Sequence, residues 1–309
     1  MQQIIPPIGR DQLISELTRD KLLRKTNYGK NEIYVFTYHD SPALMKEVGR
    51  LRELTFRAAG GGTGEETDID RNDKSDNPYL QLIVWNPKEK EILGGYRYFL
   101  CHKAKNLTNK EDSDLSTTRL FNLSQEFITD YLPYTIELGR SFIQPRYQFK
   151  SAGRKGLFTL DNLWDGLGGL WVENPNMKYF FGKVTMYSHY NAEAKNLLLY
   201  FMNKHFEDKK NLVVPIQPVK IDFENEKYKK LFSKNTYKED YVILSKRIRA
   251  LDENIPPLIN AYMNLSPTMK TFGTAINPHF GGVEETGIMV TVKDIYPKKA
   301  SRHVLTHKQ

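Results

Sequence analysis

The stretch Tyr134-Thr135-Ile136-Glu137-Leu138-Gly139-Arg140-Ser141-Phe142-Ile143 decides how this chain is read. Pro133 stands just before it and Pro145 just after. Proline removes a ladder donor and biases its predecessor toward extended backbone, so the two bracket a short strand. Inside it, Glu137 and Arg140 flank Gly139. A glycine within a strand marks a bulge or a close approach of another backbone. Burying an unpaired charge costs roughly several kcal/mol, so a charged pair in a core strand demands a reason. Either it is a partly exposed ion pair at a sheet edge, or it binds substrate and handles protons where the strand lines a cleft.

Working outward, the segments alternate in type. Ile33 to Tyr38 reads as a strand. Asp40 and Ser41 precede a helical run with Leu44, Val48, Leu51 and Leu54 at helix spacing, carrying Arg52 and Phe56 on the same element. Tyr79 to Trp85 and Glu91 to Cys101 read as strands joined by the turn Asn86-Pro87-Lys88-Glu89-Lys90. Arg97 lies inside the second of them. Residues 102 to 130 are polar and read as an excursion from the core. Beyond the central strand come a basic turn, Phe149 to Gly156, a helix from Leu157 through Trp171, a strand from Tyr179 to Ser188 and a helix from Ala192 to Phe206. Val213 to Phe223 is extended. Residues 224 to 265 are mainly helical, and the window 226–249 holds eight Lys/Arg against three Asp/Glu. Two late strands surround Phe272–Ile276 and Gly287–Val292. The first 30 residues read as one basic amphipathic helix, and the tail from Lys298 as frayed. This order predicts an α/β (α+β) fold with a central twisted mixed sheet flanked by helices.

Composition narrows the class. The 309 residues, 39% hydrophobic and 12% aromatic, suit a globular protein with a sizeable core. No stretch approaches the roughly 20 apolar residues of a membrane span, and the opening residues lack a signal-peptide layout. A single cysteine, Cys101, excludes an internal disulfide framework and a multi-cysteine zinc site. The cytoplasm is the expected compartment. The net charge of +8 favours an acidic partner: nucleic acid, anionic lipid or acidic protein. No finger spacing, RNP-like stretch or GXXG clamp is present, so no nucleic-acid partner is expected.

Several chemistries drop out. There is no Gly-X-Ser-X-Gly elbow, and Cys101 closes an apolar strand, where an inert buried thiol is expected. The histidines form neither HExxH nor a paired ligand spacing, so no metal is expected. The loop from Gly60 to Asp76 has four glycines near its start but no Gly-Lys-Ser/Thr. Asp68, Asp70 and Asn72 have the spacing of a calcium loop, yet Asp73 stands where that loop needs glycine and Tyr79 where it needs glutamate. A mobile acidic loop that closes over a cationic group, such as an amine, is what remains.

Glu137-Leu138-Gly139-Arg140 resembles the Glu-X-Gly-Arg segment of bacterial N-acyl amino acid synthases, a GNAT-related family often labelled hemolysin-like. The family includes ornithine and glycine N-acyltransferases that use acyl carrier protein thioesters, and it is related to acyl-homoserine lactone synthases. Arg52 to Arg57, the loop with Asp68 and Asp70, Gly95-Tyr96-Arg97 and Pro256 to Tyr262 fall in the family's order, over roughly residues 33 to 293. Departures exist. Ser141-Phe142-Ile143 replaces a common Phe-Cys-Val, and a late aspartate is replaced near Glu284 and Glu285. The Phe149–Gly156 turn is not a clean acetyl-CoA pyrophosphate loop, which fits a carrier-protein donor and weakens the case for free acyl-CoA.

The resemblance implies a GNAT-like acyltransferase fold over residues 1–309 as one domain, its central strand splayed from a neighbour so that backbone N–H groups meet an oxyanion. It implies transfer of a fatty, 3-hydroxylated acyl group from the phosphopantetheine of acyl carrier protein to the α-amine of glycine or ornithine, with no other cofactor. In that reaction Glu137 is the candidate proton acceptor, or else it orients Arg140 or the substrate. Arg52, Arg97 and Arg140 are candidates to grip the amino acid carboxylate. Phe56, Asp68, Asp70, Ser141 and Phe142 complete the expected substrate-binding set. Arg154 and Lys155 are the expected docking element for the acidic carrier protein. The apolar residues of 157–171 either line an acyl channel or pack the core. The N-terminal basic helix either packs on the domain or touches the inner membrane face. Two rivals remain: an acyl-homoserine lactone synthase, which the extra chain beyond about Val213 argues against, and a basic binding module without chemistry.

Overall fold

A computed structural model describes the chain except residues 149–153, 222–224, 235, 305 and 308–309, and the side chains of 154–157. Eight strands form one sheet: β1 (Leu22–Lys25), β2 (Glu32–Phe36), β3 (Leu80–Asn86), β4 (Glu91–Leu100), β6 (Thr135–Ile143), β7 (Tyr179–Met186), β9 (Lys270–Asn277) and β10 (Val283–Thr291), in the order β1-β2-β3-β4-β6-β7-β10-β9. All neighbours are antiparallel except β6 and β7, which run parallel. The short strands β5 (Phe121–Leu123) and β8 (Val213–Pro215) pair separately.

Helices cover both faces. α1 (Arg10–Glu16) precedes α2 (Pro42–Ala58), which opens with proline at its first position, where no backbone donor is missed. The apolar stripe of α2, Leu44, Val48 and Leu51, packs with Ile83 and Trp85 of β3. The alternate β3 residues, Leu82 and Val84, face the other way, against Leu163, Leu167 and Leu170 of α4 (Arg154–Glu173). Between them in sequence, the single turn α3 (Arg71–Lys74) follows the glycine-rich loop. α5 (Ala192–Phe206) joins the α4 face, followed by α6 (Glu226–Leu231), α7 (Tyr237–Arg249) and α8 (Pro257–Met263). α9 (Pro297–His303) is the last helix among the described residues. Among the described residues, no helix is long and apolar enough to cross a membrane.

Three expectations are corrected. The first 30 residues are not one helix: α1 stops at Glu16 and Leu22–Lys25 becomes an edge strand, because pairing Leu22 with Tyr34 of β2 outweighs helix propensity. The segment, read as a helix that either packs on the domain or touches a membrane face, is α-helical only over Arg10–Glu16, and Leu13 packs into the α2-side core. Residues 102 to 130 are not an excursion, since Leu115, Phe121 and Phe127 are buried with Phe99, Phe181 and Phe272. The tail is not frayed at Lys298, because His303 is buried and its Nδ1 lies 2.8 Å from Asp165 on α4.

Candidate active site

β6 has two halves. From Thr135↔Tyr179 to Leu138↔Gly182 it pairs with β7, and there the pairing stops. Gly182 allows the close approach at the last rung, where an added Cβ would meet the Leu138 carbonyl at 2.5 Å. Beyond it, the second half of β6 stays with β4 while Lys183–Met186 of β7 stay with β10. The two parallel strands fork.

At the fork the β4–β6 ladder slips between Gly95 and Arg97, with Tyr96 opposite the extra β6 residue. Arg140 takes the strain, with φ of 50° in the left-handed region, a conformation costing about 1–2 kcal/mol for a residue with a Cβ. The bulge turns the Arg140 side chain to the α2 side of the sheet, where its guanidinium lies 4.3 Å from the Phe280 ring centre. A recess fills the fork. Its apolar wall includes Leu138, Phe180, Tyr262 and Ile288, and its polar wall includes Arg140 and Lys183. β7 alternation explains the split: Phe180 belongs to the α4-side core, Phe181 to the opposite one, and Lys183 follows Phe181.

Behind Arg140 stands a buried lattice of arginines and aspartates. Gly49 of α2 has no side chain, and an added Cβ would strike Ile69 at 2.5 Å, so the acidic loop folds tightly onto α2 there. Asp70 then caps α3, and Asp70 and Asp73 accept reciprocally from each other's backbone N–H. Arg97 Nη1 lies 2.8 Å from Asp70 and 3.2 Å from Asp73. Arg52 Nη1 lies 3.6 Å from Asp73, and Arg52 also donates to Gln81, whose amide donates to Asp73 at 2.9 Å. Arg140 Nε lies 2.8 Å from Asp68. Burial works to raise Asp70, and the Arg97 guanidinium more than reverses it, holding the carboxyl well below the usual carboxylate range. Burial pushes Asp68 up, and Arg140 only partly opposes it.

Thus Arg52, Phe56, Asp68, Asp70, Arg97 and Arg140 do come together, Phe56 through its edge contact with Phe280 at 5.1 Å between ring centres. Their surroundings differ from those expected. Asp68 is fully buried and tied to Arg140, so the loop is not an open lid over a cationic group. Arg52 and Arg97 are buried against aspartates, with the Nε of each and Nη1 of Arg52 lacking a hydrogen-bond partner, and neither lines the recess. Arg140 and Ser141 line the recess, whereas Phe142 packs into the core with Ile83 and Phe56.

Glu137 and Arg140 do not form a pair. Glu137 is buried where β6 is paired on both sides, accepting from the Tyr79 hydroxyl, from Ser116 Oγ at 3.0 Å and from Thr117 N–H at 2.9 Å. Those three bonds use most of a carboxylate's roughly four lone-pair sites. Glu137 therefore anchors the 116–117 turn and does not line the recess. Arg154 and Lys155 open α4, but their side chains, like most of the Phe149–Gly156 turn, lie outside the described residues. Leu163, Leu167 and Leu170 pack the core. Cys101 is buried, and burial pushes its thiol well up.

Sequence reading missed Tyr79, Asp73, Gln81, Lys183 and Glu285 as site residues. Lys183 Nζ lies 3.0 Å from Glu285, which also accepts from Asn277 at 3.0 Å. A signal existed: Gln81 and Lys183 are lone polar residues inside apolar strand runs, the pattern of a buried polar contact.

Residues 51–155 match the model of the acetyltransferase (GNAT) domain. The chain is 55% identical over 304 residues to a glycine N(alpha)-acyltransferase of Phocaeicola vulgatus, covering 98% of this chain and 93% of that protein. It is 54% identical to a glycine N(alpha)-acyltransferase of Bacteroides thetaiotaomicron, covering 99% of this chain and 90% of that protein. A solved CoA-dependent acyl-homoserine lactone synthase, BjaI, aligns over 50% of this chain and 67% of its own at 11% identity and a TM-score of 0.31, too slight a likeness to argue from. The identity and coverage of the two curated relatives, on a GNAT-like mixed sheet, place this chain in the GNAT-related family of N-acyl amino acid synthases, the amino acid N-acyltransferases.

Proposed function

We propose that the protein transfers a 3-hydroxylated fatty acyl group from an acyl carrier protein thioester to the α-amine of glycine, and that the fork between β6 and β7 is where amine and thioester meet. The observation that carries this reading is the two-sided recess: apolar on the α4 face, cationic on the α2 face. An acyl chain belongs on the first side and an amino acid carboxylate on the second. Glycine, rather than ornithine, is favoured by the names of both full-length relatives. The same full-length match disfavours the lactone synthase.

In this scheme the amine nitrogen attacks the thioester carbonyl, the C–N bond forms, and the C–S bond then breaks to release the pantetheine thiol. Backbone N–H groups of Gly139–Ser141, the stretch that β7 leaves unpaired, are the candidates to meet the oxyanion. Such donors are worth about 10²–10³ in rate. Arg140 and Lys183 hold the carboxylate of glycine. Of the carboxylates in the field of Arg140, Asp70 and Glu285 are shifted down and only Asp68 is shifted up. Asp68 lies 2.8 Å from Arg140, which lines the recess, so we assign the amine's proton to Asp68 through water, its raised carboxyl pKa suiting an acceptor, and a positioning role to Glu137. The proton taken from the amine returns through water to the leaving thiolate as the amide forms, so the step balances. Arg154 and Lys155, next in the chain after β6, remain our choice for carrier-protein docking, consistent with the net charge of +8.

Lipid mass spectrometry of a bacterial host expressing the chain tests the reaction. An N-(3-hydroxyacyl)glycine absent from the empty host is the expected product. An acylated ornithine, a lactone, or no new acylated amine from folded protein overturns the assignment in turn to glycine, to an amino acid product, or to catalysis.

A further inference from the structure

The recess contains one polar atom that its described surroundings leave unused. Tyr96 is 3% exposed, and its hydroxyl is buried without a hydrogen-bond partner. The hydroxyls of Ser141 and Tyr262 come near it without the geometry of a hydrogen bond. Most buried polar groups are hydrogen-bonded, and an orphaned hydroxyl costs about 1–3 kcal/mol. The rest of this wall, including Leu138, Phe180, Leu258 and Ile288, is apolar. Tyr96 stands opposite the Arg140–Ser141 bulge in the β4–β6 ladder, and its hydroxyl is near that of Ser141, within the stretch given above to the oxyanion.

We infer that Tyr96 reads a hydroxyl group carried on the acyl chain within a few carbons of the carbonyl, with Tyr262 completing the polar spot. An unsubstituted chain entering this wall would seal the Tyr96 hydroxyl away from any partner. A hydroxylated chain gives it one, and the hydroxyl on the ligand is satisfied in return. The spot is held rigidly, as Tyr96 sits in β4 between two paired strands and the Tyr262 ring meets Trp164 edge-on at 5.3 Å between centres. The inference rests on the proposed acyl transfer at the fork, and it adds the residue that selects the donor. Tyr96 is thus a specificity-determining residue.

The test compares carrier-protein thioesters of one chain length with a 3-hydroxyl, a 2-hydroxyl and none, using the full chain and Tyr96→Phe. The parent is expected to prefer a hydroxylated donor in kcat/KM, and in Tyr96→Phe that preference falls by roughly 10–100-fold. Tyr262→Phe lowers it less. Equal loss on all donors, the result for a tyrosine that only packs or holds a water, overturns the inference. Calorimetric binding of 3-hydroxytetradecanoate against tetradecanoate reads the same preference without turnover. The two failures therefore separate: no transfer with a Tyr96-dependent binding preference sinks the acyl-transfer reading, and transfer without such a preference sinks this one.

Discussion

The two halves of β6 have similar neighbours in sequence and opposite fates. Ile136–Leu138 is paired on both sides, and its one charge, Glu137, is fully buried among three donors. Beyond it, Gly139–Ile143 is paired on one side, and its one charge, Arg140, is strained and lines the recess. The first half is built for stability, with every polar group compensated. The second keeps an edge that β7 leaves unpaired, a left-handed residue and a cation that lines the recess. Strain and unpaired backbone inside a core are retained where function requires them. Glu137 and Arg140, three positions apart in one motif, stand in different surroundings.

Four changes would sharpen or break that contrast. Arg140→Lys keeps the charge beside Asp68 but loses the planar fork, and kcat/KM for glycine is expected to fall by about 10²-fold or more with the denaturation midpoint nearly kept. Steady-state kinetics beside urea denaturation checks this. Glu137→Gln should do the reverse, since an amide cannot accept from all three donors: stability falls by about 1–3 kcal/mol while activity per folded molecule largely survives. A stable but inactive Glu137→Gln would return the proton-acceptor role to that residue. Gly182→Ala presses a methyl on the Leu138 carbonyl at the last rung, and overpacking of this kind costs about 1–3 kcal/mol. An unchanged melting temperature would mean that the fork begins elsewhere.

The smallest effect is with pH. The folded-state pKa of Asp70 is depressed, so its contribution is present above the unfolded value of about 3.9 and is lost as pH falls toward the folded value. Asp68, shifted up, works in the opposite direction and partly offsets it. Urea midpoints should therefore drop as pH is lowered below about 4, less steeply in Asp70→Asn. An equal slope in that variant would remove Asp70 from the account.

Much of this is legible in the sequence. The proline-bracketed strand, the helix over Leu44–Leu54 and the α5 helix follow from local rules of proline geometry and apolar spacing, and they stand where the residues put them. The grouping of Arg52, Arg97, Arg140, Asp68 and Asp70 was legible only through the motif order, because residues from α2, the acidic loop, β4 and β6 meet by tertiary packing. Who pairs with whom was not legible. Period-two alternation would put residues 137 and 140 on opposite faces, and only the bulge at Arg140 changes this. The fate of Leu22–Lys25 depended on a free strand edge at β2, and that of residues 102–130 on a hydrophobic pocket beside Phe99. Neither is a local property.

The most direct test is acyl transfer to glycine by equal amounts of folded parent, Arg140→Lys and Glu137→Gln, with 3-hydroxyacyl carrier protein as donor. The expected result is product from the parent and from Glu137→Gln, and at least about a hundredfold less from Arg140→Lys. Transfer that survives in Arg140→Lys and vanishes in a folded Glu137→Gln would contradict the division of β6 into a structural and a reactive half.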